Sequence, residues 1–204
     1  MKNHLSNLFA IVTATAIFGG LIPTALAQAD AGLIANFLAQ AKSADDSQLG
    51  GIASELTDKI KSFGTSLGDN AAVKGKLDEI LGSLTGGKDS AALTSAFDLV
   101  KEAKLTPQQT DLAKQVGNVA SAFVVQKNFS TLDGAQGDVA TIVSSLRAGK
   151  IAPAVPAIKN VAGNAHLTDT QKQLISSVAD KYAPGLGKAK GAIDAIKKFP
   201  GFGN

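Results

Sequence analysis

Apolar residues recur along this chain at spacings of three and four, which is the signature of helices that bury one face. Leu77, Ile80, Leu81 and Leu84 fall at i, i+3, i+4 and i+7, and Val139, Ile142, Val143 and Leu146 repeat the pattern. A second set of stripes is formed by Leu93, Ala96, Phe97 and Val100, and by Val155, Ile158, Val161 and Ala165. A third runs through Leu112, Val116, Ala120 and Phe123, and through Leu174, Val178 and Tyr182. Before these, Leu33, Ile34, Phe37 and Leu38, then Leu49, Ile52, Leu56, Ile60 and Phe63, predict two more helices. Leu186, Ala189, Ile193 and Ile196 predict a last one. No run alternates with period two over a strand's length. The fold class is therefore all-α: about nine short helices, arranged as a bundle or a short helical solenoid.

The stops agree with the stripes. Gly86-Gly87 and Gly149 stand where helices should end, because glycine accepts the left-handed backbone there. Thr106 and Thr168 are N-caps, each followed three residues later by Gln109 or Gln171 to complete a capping box. Pro107 suits the first helical position, where a missing N–H leaves nothing orphaned.

These paired features lie 62 residues apart. Residues 75–123 align without gaps onto 137–185, with 13 identical positions in 49. Leu105-Thr106-x-x-Gln109-x-x-Leu112-x-x-x-Val116, for example, matches Leu167-Thr168-x-x-Gln171-x-x-Leu174-x-x-x-Val178. This reads as a tandem duplication of a three-helix unit. The period is longer than that of tetratricopeptide, ankyrin or HEAT repeats, and their signature residues are missing. Duplicated units commonly frame a groove, so a ligand or partner protein is expected between the two halves.

The N-terminus reads as an address rather than as fold. Lys2 and His4 precede an uncharged run from Leu8 to Ala27, which closes on Ala25-Leu26-Ala27. Small residues at those two positions suit signal peptidase, so residues 1–27 are expected to be a cleavable signal, with Ala29 as the alternative cut. The competing interpretation, an uncleaved anchor, is weakened by Gly19, Gly20 and Pro23 inside the run. Residues 28–204 then form one domain, and the protein is expected to be secreted or periplasmic. A chain with no cysteine fits bacterial-type export better than a disulfide-stapled secretion.

Composition narrows the chemistry. The chain has one Arg (Arg147), no Cys, and beyond the signal one His (His166) and no Met. Cysteine nucleophiles, thiolate metal sites and a multi-histidine zinc site within one chain are excluded. Gly82 to Lys88 satisfies the opening of a phosphate-binding loop, but Asp89 stands where the magnesium-holding hydroxyl belongs, and a helical stripe runs into it. Asp133-Gly134 with Asp138 lacks the alternating oxygens and final Glu of a calcium loop and reads as a turn before a helix. Asp45-Asp46-Ser47 reads as a cap. Asp78 and Glu79 read as a solvated helix face and His166 as a basic residue at a helix end, with no catalytic partners to nominate. No catalytic, cofactor-binding or metal residue is assigned, and the expectation is a non-enzyme with a binding or structural role.

Charge adds one alternative. The net charge is +3, and much of it lies at the end, where Lys181, Lys188, Lys190, Lys197 and Lys198 face only Asp194. Interleaved with apolar residues, segment 181–204 could lie on an anionic membrane surface. A single Arg and no basic stripe through the body argue against nucleic acid.

Overall fold

The computed structural model describes residues 24–43, 47–67, 70–102 and 104–184. Within them the chain forms eight helices: α1 (Thr24–Ser43), α2 (Ser47–Ser66), α3 (Ala71–Thr85), α4 (Asp89–Leu99), α5 (Pro107–Phe129), α6 (Gln136–Arg147), α7 (Ile151–Ala162) and α8 (Asp169–Tyr182). The all-helical bundle is as the stripes predict. The ninth helix expected over 186–196 lies outside the described residues, as do residues 1–23 of the expected signal. Both candidate cleavage points, after Ala27 and after Ala29, fall within the first two turns of α1.

Helix α5 is the axis. Ala113, Val116, Val119, Ala120, Ala122, Phe123, Val124, Val125 and Phe129 are all buried, so this helix is apolar on nearly every side. It packs against α2, α4, α6 and α8. Helices α2, α4 and α8 run antiparallel to it, as individual contacts show. The start of α5 meets the end of α2 through Gln109 and Ser66, and the end of α5 meets the start of α8 through Asn128 and Gln171. Asp89 at the start of α4 bonds Lys127 and Asn128 near the end of α5. Helix α4 also meets α5 at Gly117, where an added Cβ would stand 3.4 Å from the Ala96 carbonyl oxygen, an ordinary contact.

The remaining helices close the ring around this axis. Helices α1 and α3 cover the side between α2 and α4, with the Phe37 ring 5.2 Å from that of Phe123. Helix α8 packs on α4 directly, and α7 fills the space between α6 and α8. Every residue of the two leading stripes, Leu77, Ile80, Leu81 and Leu84, and Val139, Ile142, Val143 and Leu146, is buried.

The paired stops and caps share their geometry as well as their residues. Gly87 and Gly149 have φ of 70° and 66°. Lys88 N–H donates to the Ser83 carbonyl at 2.7 Å, and Lys150 N–H to that of Ser145 at 2.9 Å. With the bonds from Gly87 to Leu84 and from Gly149 to Leu146, each end is a complete Schellman motif. Both capping boxes form, and the capping glutamines reach further, Gln109 to the Ser66 carbonyl at 2.7 Å and Gln171 to that of Asn128 at 2.6 Å. Each of these bonds recurs 62 residues on.

Two stripe residues are exposed against expectation, Leu33 on α1 and Ala165 beyond α7, and several others, Val155 among them, are only half-buried. Ala165 is exposed in the turn beyond α7, and the buried face of α7 runs through Ala154, Ala157, Ile158 and Val161 rather than through half-buried Val155. The helix ends at Ala162, so no helical register carries Ala165 inward. Pro153 and Pro156 place the exposed side of α7, where a proline's absent N–H costs least.

Candidate functional site

The ring around α5 has a gap on the side where α2 and α6 both pack against α5 rather than extensively against each other. There the surface sinks into two adjoining cavities. The larger, about 440 Å³, is lined by Gln48 of α2, Gln126 of α5, and Ala140, Thr141, Val143, Ser144 and Arg147 of α6. The smaller, about 280 Å³, is lined by Glu55 and Lys59 of α2, by Gln115, Asn118 and Val119 of α5, and by the α6 end from Arg147 to Gly149.

Arg147 belongs to both cavities. It is the last residue of α6, where a cation complements the carbonyl end of the helix. Its Nε–H donates to Glu55 Oε2 at 2.8 Å, an ion pair that spans the groove from α6 to α2 with both side chains partly exposed. The hydroxyls of Thr141 and Ser144 donate to their own helix's carbonyls at Gly137 and Thr141, which turns their oxygen lone pairs toward other donors. The groove is thus polar, carries one guanidinium at its waist, and has an apolar floor where Val119 and Val143 belong to the core.

Two further polar clusters fix neighbouring elements. Asp89, buried at the first residue of α4, accepts from Lys127 Nζ at 3.0 Å and from Asn128 Nδ2 at 2.8 Å. Asn128 in turn offers its carbonyl to Gln171, so α4, α5 and α8 are joined at one corner. Midway along α5, the Tyr182 hydroxyl donates to Asn118 Oδ1 at 3.0 Å and lies 3.1 Å from Ser121 Oγ. Burial pushes this phenol up to about 12, against a smaller opposing effect of the Ser121 hydrogen bond. Among the described residues no buried side-chain nitrogen or oxygen lacks a partner, and no cluster of three or more His, Asp or Glu side chains could hold a metal ion.

The residues singled out in the sequence are scattered. Gly82 to Lys88 is the end of α3 and its Schellman turn, the helix stop expected of it. Asp133-Gly134 is a turn, with Gly134 at φ 71°, and Asp138 sits in the first turn of α6, where it accepts from Asn160. His166 is exposed in the turn before α8, its backbone N–H donating to Asn164 Oδ1. Asp78 is half-buried and Glu79 exposed on α3, while Asp45 and Asp46 lie outside the described residues. Of the C-terminal lysines, Lys181 is exposed, with its ammonium 5.5 Å from the centre of the Phe97 ring, which itself meets Tyr182 edge-on. Lys188, Lys190, Lys197 and Lys198 lie outside the described residues.

The groove is not quite where duplication alone would put it. Helices α5 and α6 belong to the two repeated blocks, but the third wall, α2, precedes both. The one sequence signal that could have marked the site is Arg147, the only guanidinium in a chain that otherwise uses lysine throughout. Among the described residues no helix is long and apolar enough to cross a membrane. No protein-family model, curated protein or solved structure matches this chain.

Proposed function

We propose that this chain is an exported, non-enzymatic helical protein that binds a small polar ligand or a partner's side chain in the groove between α2 and α6. The observation that supports it is the concave polar surface at the gap in the ring, with a guanidinium at its waist. Such sites combine an apolar floor with a few placed polar groups. Tandem duplication of a three-helix unit is the proposed origin of the scaffold, supported by caps and Schellman turns that recur at one offset. Export is supported by the small-x-small ending at Ala25 and Ala27, and secretion or a periplasmic location follows from it.

Two experiments test this reading. Expression of the full chain in a bacterium, followed by fractionation and N-terminal sequencing, should give a periplasmic or secreted product beginning at Gln28 or Asp30. A thermal-shift screen of small polar compounds should find at least one that raises the melting temperature of the native chain and not of Arg147→Gln, since a ligand selective for the folded state stabilises it. A screen in which every stabiliser acts equally on the variant would move the site elsewhere. The alternative, contact with an anionic membrane through segment 181–204, has Lys181 as its one described lysine; sedimentation with anionic vesicles, with and without residues 185–204, would separate it from the groove.

A further inference from the structure

We infer that the groove selects a small carboxylate, which is seated on Arg147 in the place now held by Glu55. The inference rests on the binding reading above and names the chemistry of its ligand. Three observations carry it. First, Arg147 uses only Nε–H in its bond to Glu55; among the described residues its Nη groups have no hydrogen-bond partner, so the donor fork is half engaged. A guanidinium presents two parallel N–H groups that match a carboxylate, and an incoming carboxylate can take both where Glu55 takes one.

Second, Arg147 lines both cavities, and the larger, about 440 Å³, also has the polar side chains of Gln48, Gln126, Thr141 and Ser144 in its lining. These suit hydroxyl or amide substituents on the ligand. Third, a carboxylate, that of Glu55, is already the group that Arg147 holds across the groove. A ligand carboxylate offers Arg147 the same chemistry that the groove already uses there. Glu55 is therefore an internal competitor that holds the guanidinium in place until the ligand displaces it.

The test uses a property of the sequence. Because Arg147 is the only arginine, its Nε–Hε pair gives a single arginine side-chain resonance in a proton–nitrogen correlation spectrum. The probes are sodium gluconate, sorbitol as the same carbon skeleton without the carboxylate, sodium phosphate, and sodium chloride at matched ionic strength. Gluconate should shift the Arg147 signal saturably, while chloride and sorbitol leave it in place. Glu55→Gln should bind gluconate about two- to fivefold more tightly, the scale set by the loss of one partly exposed ion pair. Arg147→Gln should lose the response as read on the Gln48 and Gln126 side-chain amides, with an unchanged helical spectrum showing that it folds.

Each other result is decisive. Phosphate displacing Glu55 better than gluconate would overturn the carboxylate assignment. Sorbitol moving the Gln48 and Gln126 amides as strongly as gluconate, with Arg147→Gln indifferent, would also overturn it while leaving a binding groove. Silence toward all probes in both the native chain and Glu55→Gln would refute the anion site, and the thermal-shift screen then decides the groove by itself.

Discussion

At the scale of single residues, the two copies of one motif differ in a way that stability measurements can read. Gln109 and Gln171 each complete a capping box and reach a carbonyl of the preceding long helix, but the bond from Gln171 to Asn128 is partly buried while that from Gln109 to Ser66 is exposed. Gln109→Ala should therefore cost under about 1 kcal/mol and Gln171→Ala about 1–2 kcal/mol in urea denaturation, because a partly buried carbonyl loses its partner in the second case only. Tyr182 supplies a pH dependence. Its phenol ionises near 10 when exposed and at about 12 in the fold, so the folded state favours the protonated form. The stability this provides is fully present below pH 10 and is lost as pH rises from 10 to 12. The advantage of the native chain over Tyr182→Phe should thus shrink by about 1–2 kcal/mol between pH 8.5 and 11.5, less than a two-unit shift implies because the ring is partly exposed. A difference independent of pH would mean the hydroxyl is solvated.

At the scale of elements, the stripes and stops are what make these segments helices, and their positions were legible before any coordinates. Leu84 and Leu146 close the apolar stripes of α3 and α6 and are buried. Each, replaced by Ala, should lose at least about 2 kcal/mol in a denaturant titration. Gly87 and Gly149 hold left-handed backbone with room for a methyl group; at Gly149 the nearest atom to an added Cβ is Asn118 Nδ2 at 3.8 Å. Substitution by Ala should therefore cost about 1 kcal/mol at either position, for conformational rather than steric reasons. Helix α2 stands in the same relation to α5 as α5 does to α8: each accepts, near its C-terminus, the capping glutamine of the next long helix. That relation was hidden in the sequence, because the α2 stripe from Ile52 to Phe63 does not share the 62-residue register of the later helices.

For the whole molecule, the consequence is a bundle organised around one buried axis rather than two halves side by side. Helix α5 belongs to the first repeated block yet contacts α6 and α8 of the second, so the blocks share a core. Unfolding should be a single cooperative transition, with α5 amides exchanging only through global opening while α1 exchanges earlier. Native-state hydrogen exchange checks this; two calorimetric transitions would mean the blocks fold separately. The axis was only partly readable: the uncharged run from Val119 to Val125 announces a helix buried on several sides, but a stripe reading sees one face of it.

What the sequence determined by itself was local: helical period, caps, Schellman stops and the 62-residue recurrence, all of which arise from interactions spanning a few residues along one backbone. It also bounded the chemistry, since side chains that are missing cannot act. Tertiary structure alone decided which helix lies at the centre, because four neighbours bury α5 from different directions and no single window of sequence contains them. It alone brought Glu55 to Arg147 across 92 positions, and Tyr182 to Asn118 across 64. The groove exists for the same reason. It is the space left where two helices both follow a third without packing closely on each other, a relation among chain segments that no spacing of residues encodes.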